Sequence, residues 1–146
     1  SWHQDAPLWP IIRPMTEVSA WVAMDDVDVE NGCMSMVPGS HKWGNQIEFV
    51  RTVKEFDAMP SEFGEHAVEV VRRPVKKGEV HYHHALTWHG SHNNTSKRPR
   101  RAVAIHYMTQ DTYYEASGNH VMKEFVTVED GEILRGEHFP TVWTVA

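Results

Sequence analysis

The stretch Lys77-Gly78-Glu79-Val80-His81-Tyr82-His83-His84-Ala85-Leu86-Thr87-Trp88-His89-Gly90-Ser91 carries the pattern on which the fold turns. Lys77-Gly78 reads as a tight turn, Val80 to Trp88 as a strand, and His89-Gly90 as the place where that strand meets a second turn. The same grammar recurs on both sides. Thr16 to Met24 is rich in small, aromatic and β-branched residues and has no breaker. Cys33 to Val37 is bounded by Asn31-Gly32 and Pro38-Gly39, Ala67 to Val71 is closed by Pro74, and Ala102 to Met108 follows Pro99. Short strands punctuated by Gly, Pro and Asn predict an all-β sandwich or barrel. Val50 to Phe63, charged and containing Pro60, and Asn119 to Gly131 fit either a short helix or a surface loop. No internal repeat, low-complexity tract or linker interrupts the chain, so residues 1–146 are read as one domain.

Composition narrows the function classes. The 146 residues are 40% hydrophobic, enough for a core, and carry a formal charge of −6, which argues against a nucleic-acid partner. The one basic cluster, Lys97, Arg98, Arg100 and Arg101, reads as a solvated turn, with Arg100 set apart below. The lone Cys33 excludes an internal disulfide, and its place in an apolar run suits packing. No apolar run reaches the roughly 20 residues of a membrane helix, and the opening Ser1-Trp2-His3-Gln4-Asp5 is no signal peptide. Those two readings predict no membrane partner and a cytoplasmic location. Oligomeric state has no signature in the sequence.

Eleven histidines are present, and their arrangement matters more than their number. His3 and Asp5 are two apart, which in a strand puts an imidazole and a carboxylate on one face. Iron(II) oxygenases use two imidazoles and one carboxylate on one face of the ion and leave the opposite positions open. His-x-Asp alone is a weak signal. A third ligand must come from a distant strand end, and His81, His83, His84 and His89 are the candidates. His89 precedes Gly90, where a close backbone approach is permitted. His83 and His84 read as a pocket wall and a surface residue; with His106 they could equally orient the ligands from behind, a structural role being preferred for His83. Arg100 shares strand parity with Ala102, Ala104 and His106, and Arg101 with Val103, Ile105 and Tyr107. One face is thus small, and an Arg on it can grip a carboxylate by two hydrogen bonds. Spacing supports a plain surface Arg equally.

Four ordered segments resemble the phytanoyl-CoA dioxygenase family of 2-oxoglutarate oxygenases. They are Trp2-His3-Gln4-Asp5; Ala20-Trp21-Val22-Ala23-Met24 with Glu30-Asn31-Gly32-Cys33-Met34 and Val37-Pro38-Gly39-Ser40-His41; Lys77-Gly78-Glu79 leading to His84-Ala85-Leu86 and His89-Gly90-Ser91; and Asn94, Ser96 and Arg100-Arg101-Ala102. Arg100 follows His89 by 11 positions (100 − 89), as the family pattern requires.

The resemblance implies a double-stranded β-helix, or jelly roll, with a cupin-like core and minor helical or loop insertions. It implies Fe(II) held by the catalytic residues His3, Asp5 and His89. It also implies 2-oxoglutarate held by Arg100 through its distal carboxylate, with Trp21 and Ser91 as further contacts. The implied reaction uses O2 to hydroxylate a small organic substrate while 2-oxoglutarate is decarboxylated to succinate and CO2. Related halogenases lack the carboxylate ligand, so Asp5 favours hydroxylation. The long segment that usually precedes the first ligand is missing, which implies an N-terminally incomplete core. A cupin-like metal enzyme that is not an oxygenase would not need Arg100 at that place, nor 2-oxoglutarate, and a non-catalytic protein retaining the fold would have no need of all three ligands. An aromatic substrate wall is expected from among Trp9, Trp88, Tyr107, Tyr113 and Tyr114, with residues 110–114 near the substrate.

Overall fold

The breaker-free run of small, aromatic and β-branched residues holds Val18-Ser19-Ala20-Trp21-Val22-Ala23, and in the computed structural model, which describes residues 1–144, this segment is the central strand of a sheet. In chain order the strands are β1 (Ile12–Arg13), β2 (Val18–Ala23), β3 (Met34–Met36), β4 (Glu62–Phe63), β5 (His66–Ala67), β6 (Val71–Arg73), β7 (Val80–His84), β8 (His89–Ser91), β9 (Ala102–Tyr107) and β10 (Tyr113–Tyr114). Two three-stranded antiparallel sheets dominate, in the orders β7-β2-β9 and β6-β3-β8; β1 pairs with β10 and β4 with β5. Among the described residues, helical structure is confined to one short helix, α1 (Ile47–Val50), and short 3₁₀ turns, including Phe56–Ala58 and Val121–Phe125. The all-β architecture expected from the sequence is borne out, and both ambiguous segments hold short helical turns.

Two strand expectations need correction. Val80 to Trp88 is not one strand: β7 ends at His84, a turn follows, and β8 begins at His89 in the other sheet. The Ala85 N–H donates to the Glu17 carbonyl at 2.8 Å, while the Ala85 carbonyl accepts from Asp5 and Ala6 at 2.8 and 3.1 Å. Those bonds bend the chain from one sheet into the next. Ala67 to Val71 likewise splits, with β5 ending at Ala67 and β6 starting at Val71.

Trp2, Val37, Val50 and Trp88 are fully buried together, with Trp43, Phe49 and Phe63 packed around them. A second cluster joins Ile11, Ile12 and Tyr114, and a third joins Ala23, Val27 and Cys33, so Cys33 packs as expected. The bulky side of β9 does not join a core. Val103, Ile105 and Tyr107 lie on the outer face of their sheet, with Val103 50% and the neighbouring Tyr82 66% exposed.

Gln4 ties the N-terminal segment into this frame. Its fully buried amide donates to the Gly44 and Leu86 carbonyls at 2.9 and 2.6 Å and accepts from the Gln46 N–H at 2.7 Å. Gln4→Ala leaves three backbone groups without their partner. At about 1–3 kcal/mol for each unsatisfied group, a loss of roughly 3 kcal/mol or more is expected by chemical denaturation. A loss below about 1 kcal/mol would mean that water replaces the amide.

Candidate metal centre

His3 and His89 are brought together by the backbone. The His3 N–H donates to the His89 carbonyl at 2.8 Å and the His89 N–H to the His3 carbonyl at 3.0 Å, an isolated antiparallel bridge. Residues paired in this way stand directly opposite each other, and the two rings lie 4.2 Å apart between centroids. Gly90 makes the approach possible: a Cβ there would lie 2.8 Å from the Ser1 carbonyl oxygen. Close approach, rather than an unusual backbone angle, is thus why Gly follows His89.

Asp5 reaches the same place by a different route from the expected strand. It caps a 3₁₀ turn, Ala6–Leu8, and has helical dihedral angles. Its Oδ1 faces His3 Nε2 at 3.6 Å and His89 Nε2 at 3.4 Å. His3, Asp5 and His89 each offer one ligand atom, and these atoms all lie within 4.8 Å of one another.

The hydrogen bonds at the far side of each ring decide what those nitrogens present. His3 Nδ1 lies 3.2 Å from the Ser1 carbonyl and His89 Nδ1 2.9 Å from the Thr87 carbonyl. A carbonyl only accepts, so both Nδ1 atoms carry the proton and both neutral rings turn an Nε2 lone pair inward. Two lone pairs and a carboxylate oxygen then face one another with no proton between them. That donor set repels itself and suits a divalent cation, for which imidazole nitrogen and carboxylate are ordinary ligands.

A cavity of about 330 Å³ opens beside the three side chains, between the two sheets. Trp21, Ser91, Arg100, Ala104 and His106 line it, together with Ser19, Met34 and His83. Of the residues that share Arg100's strand parity, Ala104 and His106 thus line the cavity with it and Ala102 does not. Arg98 pairs with Asp28 and Glu30, and Arg101 with Asp25 at 2.7 Å, whereas among the described residues Arg100 has no carboxylate partner. Its guanidinium carbon sits 5.7 Å from the Trp21 ring centroid, a cation–π contact. The aromatic wall expected from sequence is not there. None of Trp9, Trp88, Tyr107, Tyr113 or Tyr114 lines the cavity. Trp88 is core and Tyr107 faces outward; Trp9 approaches only through the His106 ring, at 4.3 Å.

The family model described as Phytanoyl-CoA dioxygenase (PhyH) matches residues 1–102, more than half of the chain. The chain belongs to the phytanoyl-CoA dioxygenase family. Among the family's curated members, the chain is similar to the rat peroxisomal phytanoyl-CoA dioxygenase, 30% identical over 123 residues, covering 77% of this chain and 34% of that protein. It is also similar to the phytanoyl-CoA dioxygenase domain-containing protein 1 homolog of Caenorhabditis briggsae, at 36% over 107 residues, 66% of this chain and 36% of that protein. Among solved structures it is similar to the non-heme alpha ketoglutarate dependent epimerase SnoN from nogalamycin biosynthesis (TM-score 0.70, 27% identity, 96% of this chain and 53% of that one). The alpha ketoglutarate dependent carbocyclase SnoK from the same biosynthesis gives a TM-score of 0.70 at 29% identity, with 96% and 54% covered. The chain thus spans about a third of those curated relatives and about half of those solved structures.

In this phytanoyl-CoA dioxygenase family member the site's electrostatics follow from burial. Burial by itself raises the Asp5 carboxyl, but the hydrogen bonds from His83 and Ser19, together with the adjacent His89 ring, outweigh it and hold Asp5 well below the usual carboxylate range. Burial, and then the neighbouring His89, lowers His3. His81 is pushed down to about 4 by burial and by His83, and burial also lowers His84 and His106. Each of these folded-state values lies below that of the unfolded chain, so the stabilisation from the neutral rings is complete above about pH 6.5. It is lost as pH falls through the folded values, near 4 for His81. The metal-free protein is therefore expected to lose several degrees of Tm between about pH 6.5 and 4; a flat Tm over that window would contradict the assignment.

Sequence reading missed Ser19 and Gln4, and for His83 it preferred a structural role over an orienting one. Ser19 and Gln4 are small or neutral polar residues with no spacing signature. Strand parity with Trp21 was the only available pointer to Ser19.

Proposed function

We propose that residues 1–146 form the catalytic core of a non-haem Fe(II)- and 2-oxoglutarate-dependent dioxygenase that hydroxylates a small organic substrate and converts 2-oxoglutarate to succinate and CO2. The observation that carries the reading is the convergence of His3, Asp5 and His89, with ligand atoms within 4.8 Å, on a cavity that also holds a carboxylate-free Arg100. Family membership and the two alpha ketoglutarate dependent neighbours support iron, 2-oxoglutarate and O2 as the cofactors. Among the described residues no helix is long and apolar enough to cross a membrane.

In this reading His3 and His89 offer Nε2 and Asp5 offers Oδ1 to the metal. Arg100 neutralises the far carboxylate of 2-oxoglutarate, Trp21 flanks it and Ser91 adds a hydroxyl contact. When bound, the iron with its cosubstrate and O2 supplies an oxidant strong enough for a C–H bond. The two sheets around the cavity keep bulk water from that chemistry. The alanine at position 104 leaves room beside Arg100.

A second reading has a specific support. One neighbour is described as an epimerase and the other as a carbocyclase. C–H activation at the same residues would then end in inversion or ring closure instead of hydroxylation, and product analysis separates the outcomes. The test of the shared chemistry is anaerobic visible absorption of the protein with Fe(II), before and after 2-oxoglutarate, with His89→Ala as control. A new charge-transfer band in the parent and none in the control is expected. No band in the parent, together with no succinate on exposure to O2, would favour a cupin-like enzyme of another kind or a non-catalytic role.

A further inference from the structure

The register of the β7-β2-β9 sheet sets one row of three polar side chains across it. Ser19 on β2 pairs with His83 on β7 and with His106 on β9, each directly opposite. All three line the cavity, and the row ends on Asp5. Ser19 Oγ donates to Asp5 Oδ2 at 2.9 Å, His83 Nε2 lies 3.1 Å from the same oxygen, and His106 Nδ1 lies 3.0 Å from Ser19 Oγ.

Proton bookkeeping leaves one arrangement with neutral rings. The Asp5 carboxylate only accepts, so Ser19 gives it its single proton and His83 gives it Nε2–H. Ser19 then has only lone pairs left for His106, whose Nδ1 must carry a proton. The second ring nitrogen of His83, Nδ1, is buried without a partner. A buried acceptor left unsatisfied is costly, so the orientation of the ring serves Asp5 and not its own hydrogen bonding. Both donors take Oδ2, and Oδ1 is left facing His3 and His89.

We propose that Ser19 and His83 are positioning residues that hold Asp5 by Oδ2 so that Oδ1 alone is presented to a divalent metal, with His106 orienting the Ser19 hydroxyl. The inference rests on the metal-site reading above. It assigns the outer partners of the carboxylate, groups whose removal usually weakens metal binding about 10- to 100-fold.

The test is Mn(II) binding, followed by the electron paramagnetic resonance of the free ion, and it needs neither substrate nor turnover. Ser19→Ala and His83→Leu are expected to raise the Mn(II) Kd about 10- to 100-fold. His83→Gln, which can place an N–H near the Nε2 position, is expected to stay within about threefold of the parent because it keeps the donor. His106 is exposed, so His106→Phe is a variant with little risk to folding, and it is expected to weaken binding about 3- to 10-fold by freeing the Ser19 hydroxyl. Melting of the metal-free variants reports whether each is folded. Parent-like Mn(II) affinity in folded Ser19→Ala and His83→Leu, or in His106→Phe, overturns the proposal. So does a His83→Gln protein as weak as His83→Leu, since packing of the ring would then be what matters. A parent chain that binds no Mn(II) overturns the metal-site reading itself, a result distinct from a parent that binds and variants that match it.

Discussion

Asp5→Asn is expected to abolish 2-oxoglutarate-dependent turnover and to weaken divalent-metal binding by more than the roughly 10- to 100-fold typical of an outer-partner change, while leaving the metal-free protein folded. The two halves of this result have one cause. In the parent, Oδ1 faces the Nε2 lone pairs of His3 and His89 at 3.6 and 3.4 Å. An amide nitrogen in that position donates to those lone pairs and removes the repulsion. Its oxygen still accepts from Ser19 and His83, which meet Oδ2 at 2.9 and 3.1 Å. Shape and burial are preserved, and only the charge needed by a cation is lost. Calorimetric Mn(II) titration and thermal melting at pH 8 check the two halves. A variant that binds metal like the parent would remove Asp5 from the site. One that melts well below the parent would show that the carboxylate has a structural role.

Arg100→Ala is expected to raise the 2-oxoglutarate concentration needed to form the iron–keto acid absorption band by about 30- to 1,000-fold, with metal affinity unchanged. A charge-assisted hydrogen bond contributes about 1.5–3 kcal/mol, and a two-pronged pair with a carboxylate places the loss at roughly 2–4 kcal/mol. The stack on Trp21, with the guanidinium carbon 5.7 Å from the ring centroid, holds the fork over the cavity. Arg100→Lys is expected to recover part of the loss, because a point charge on a flexible stem replaces the planar fork. An Arg100→Ala protein with unaltered 2-oxoglutarate dependence would return Arg100 to the surface turn where Arg98 and Arg101 reside.

The all-β class and family were legible because Gly-Pro-Asn punctuation, strand parity and ordered motifs are local properties of the chain. Parity grouped Ala104 and His106 on one side of β9 with Arg100, which precedes the strand, and all three line one cavity. It says nothing of the other side: Val103, Ile105 and Tyr107 face outward, and a strand pattern does not tell which face a second layer covers. The run Val80 to Trp88 looked continuous because propensity does not register a crossing between sheets. The crossing is made by Ala85, whose backbone groups bond to Glu17 on one side and to Asp5 and Ala6 on the other.

The sequence by itself determined the residue types of the centre: two imidazoles, one carboxylate and a separate guanidinium, in an order that resembles one family. It also set the strand class, since hydrophobic period and turn chemistry act over a few residues. Only the tertiary structure decided how these groups present themselves. The backbone bridge between His3 and His89, the turn that carries Asp5, the carbonyls of Ser1 and Thr87 that fix both tautomers, and the row His83–Ser19–His106 behind the carboxylate all join residues far apart in the chain. Hydrogen bonds of that kind depend on register between strands, and register is set by packing of the whole sheet and not by any local motif.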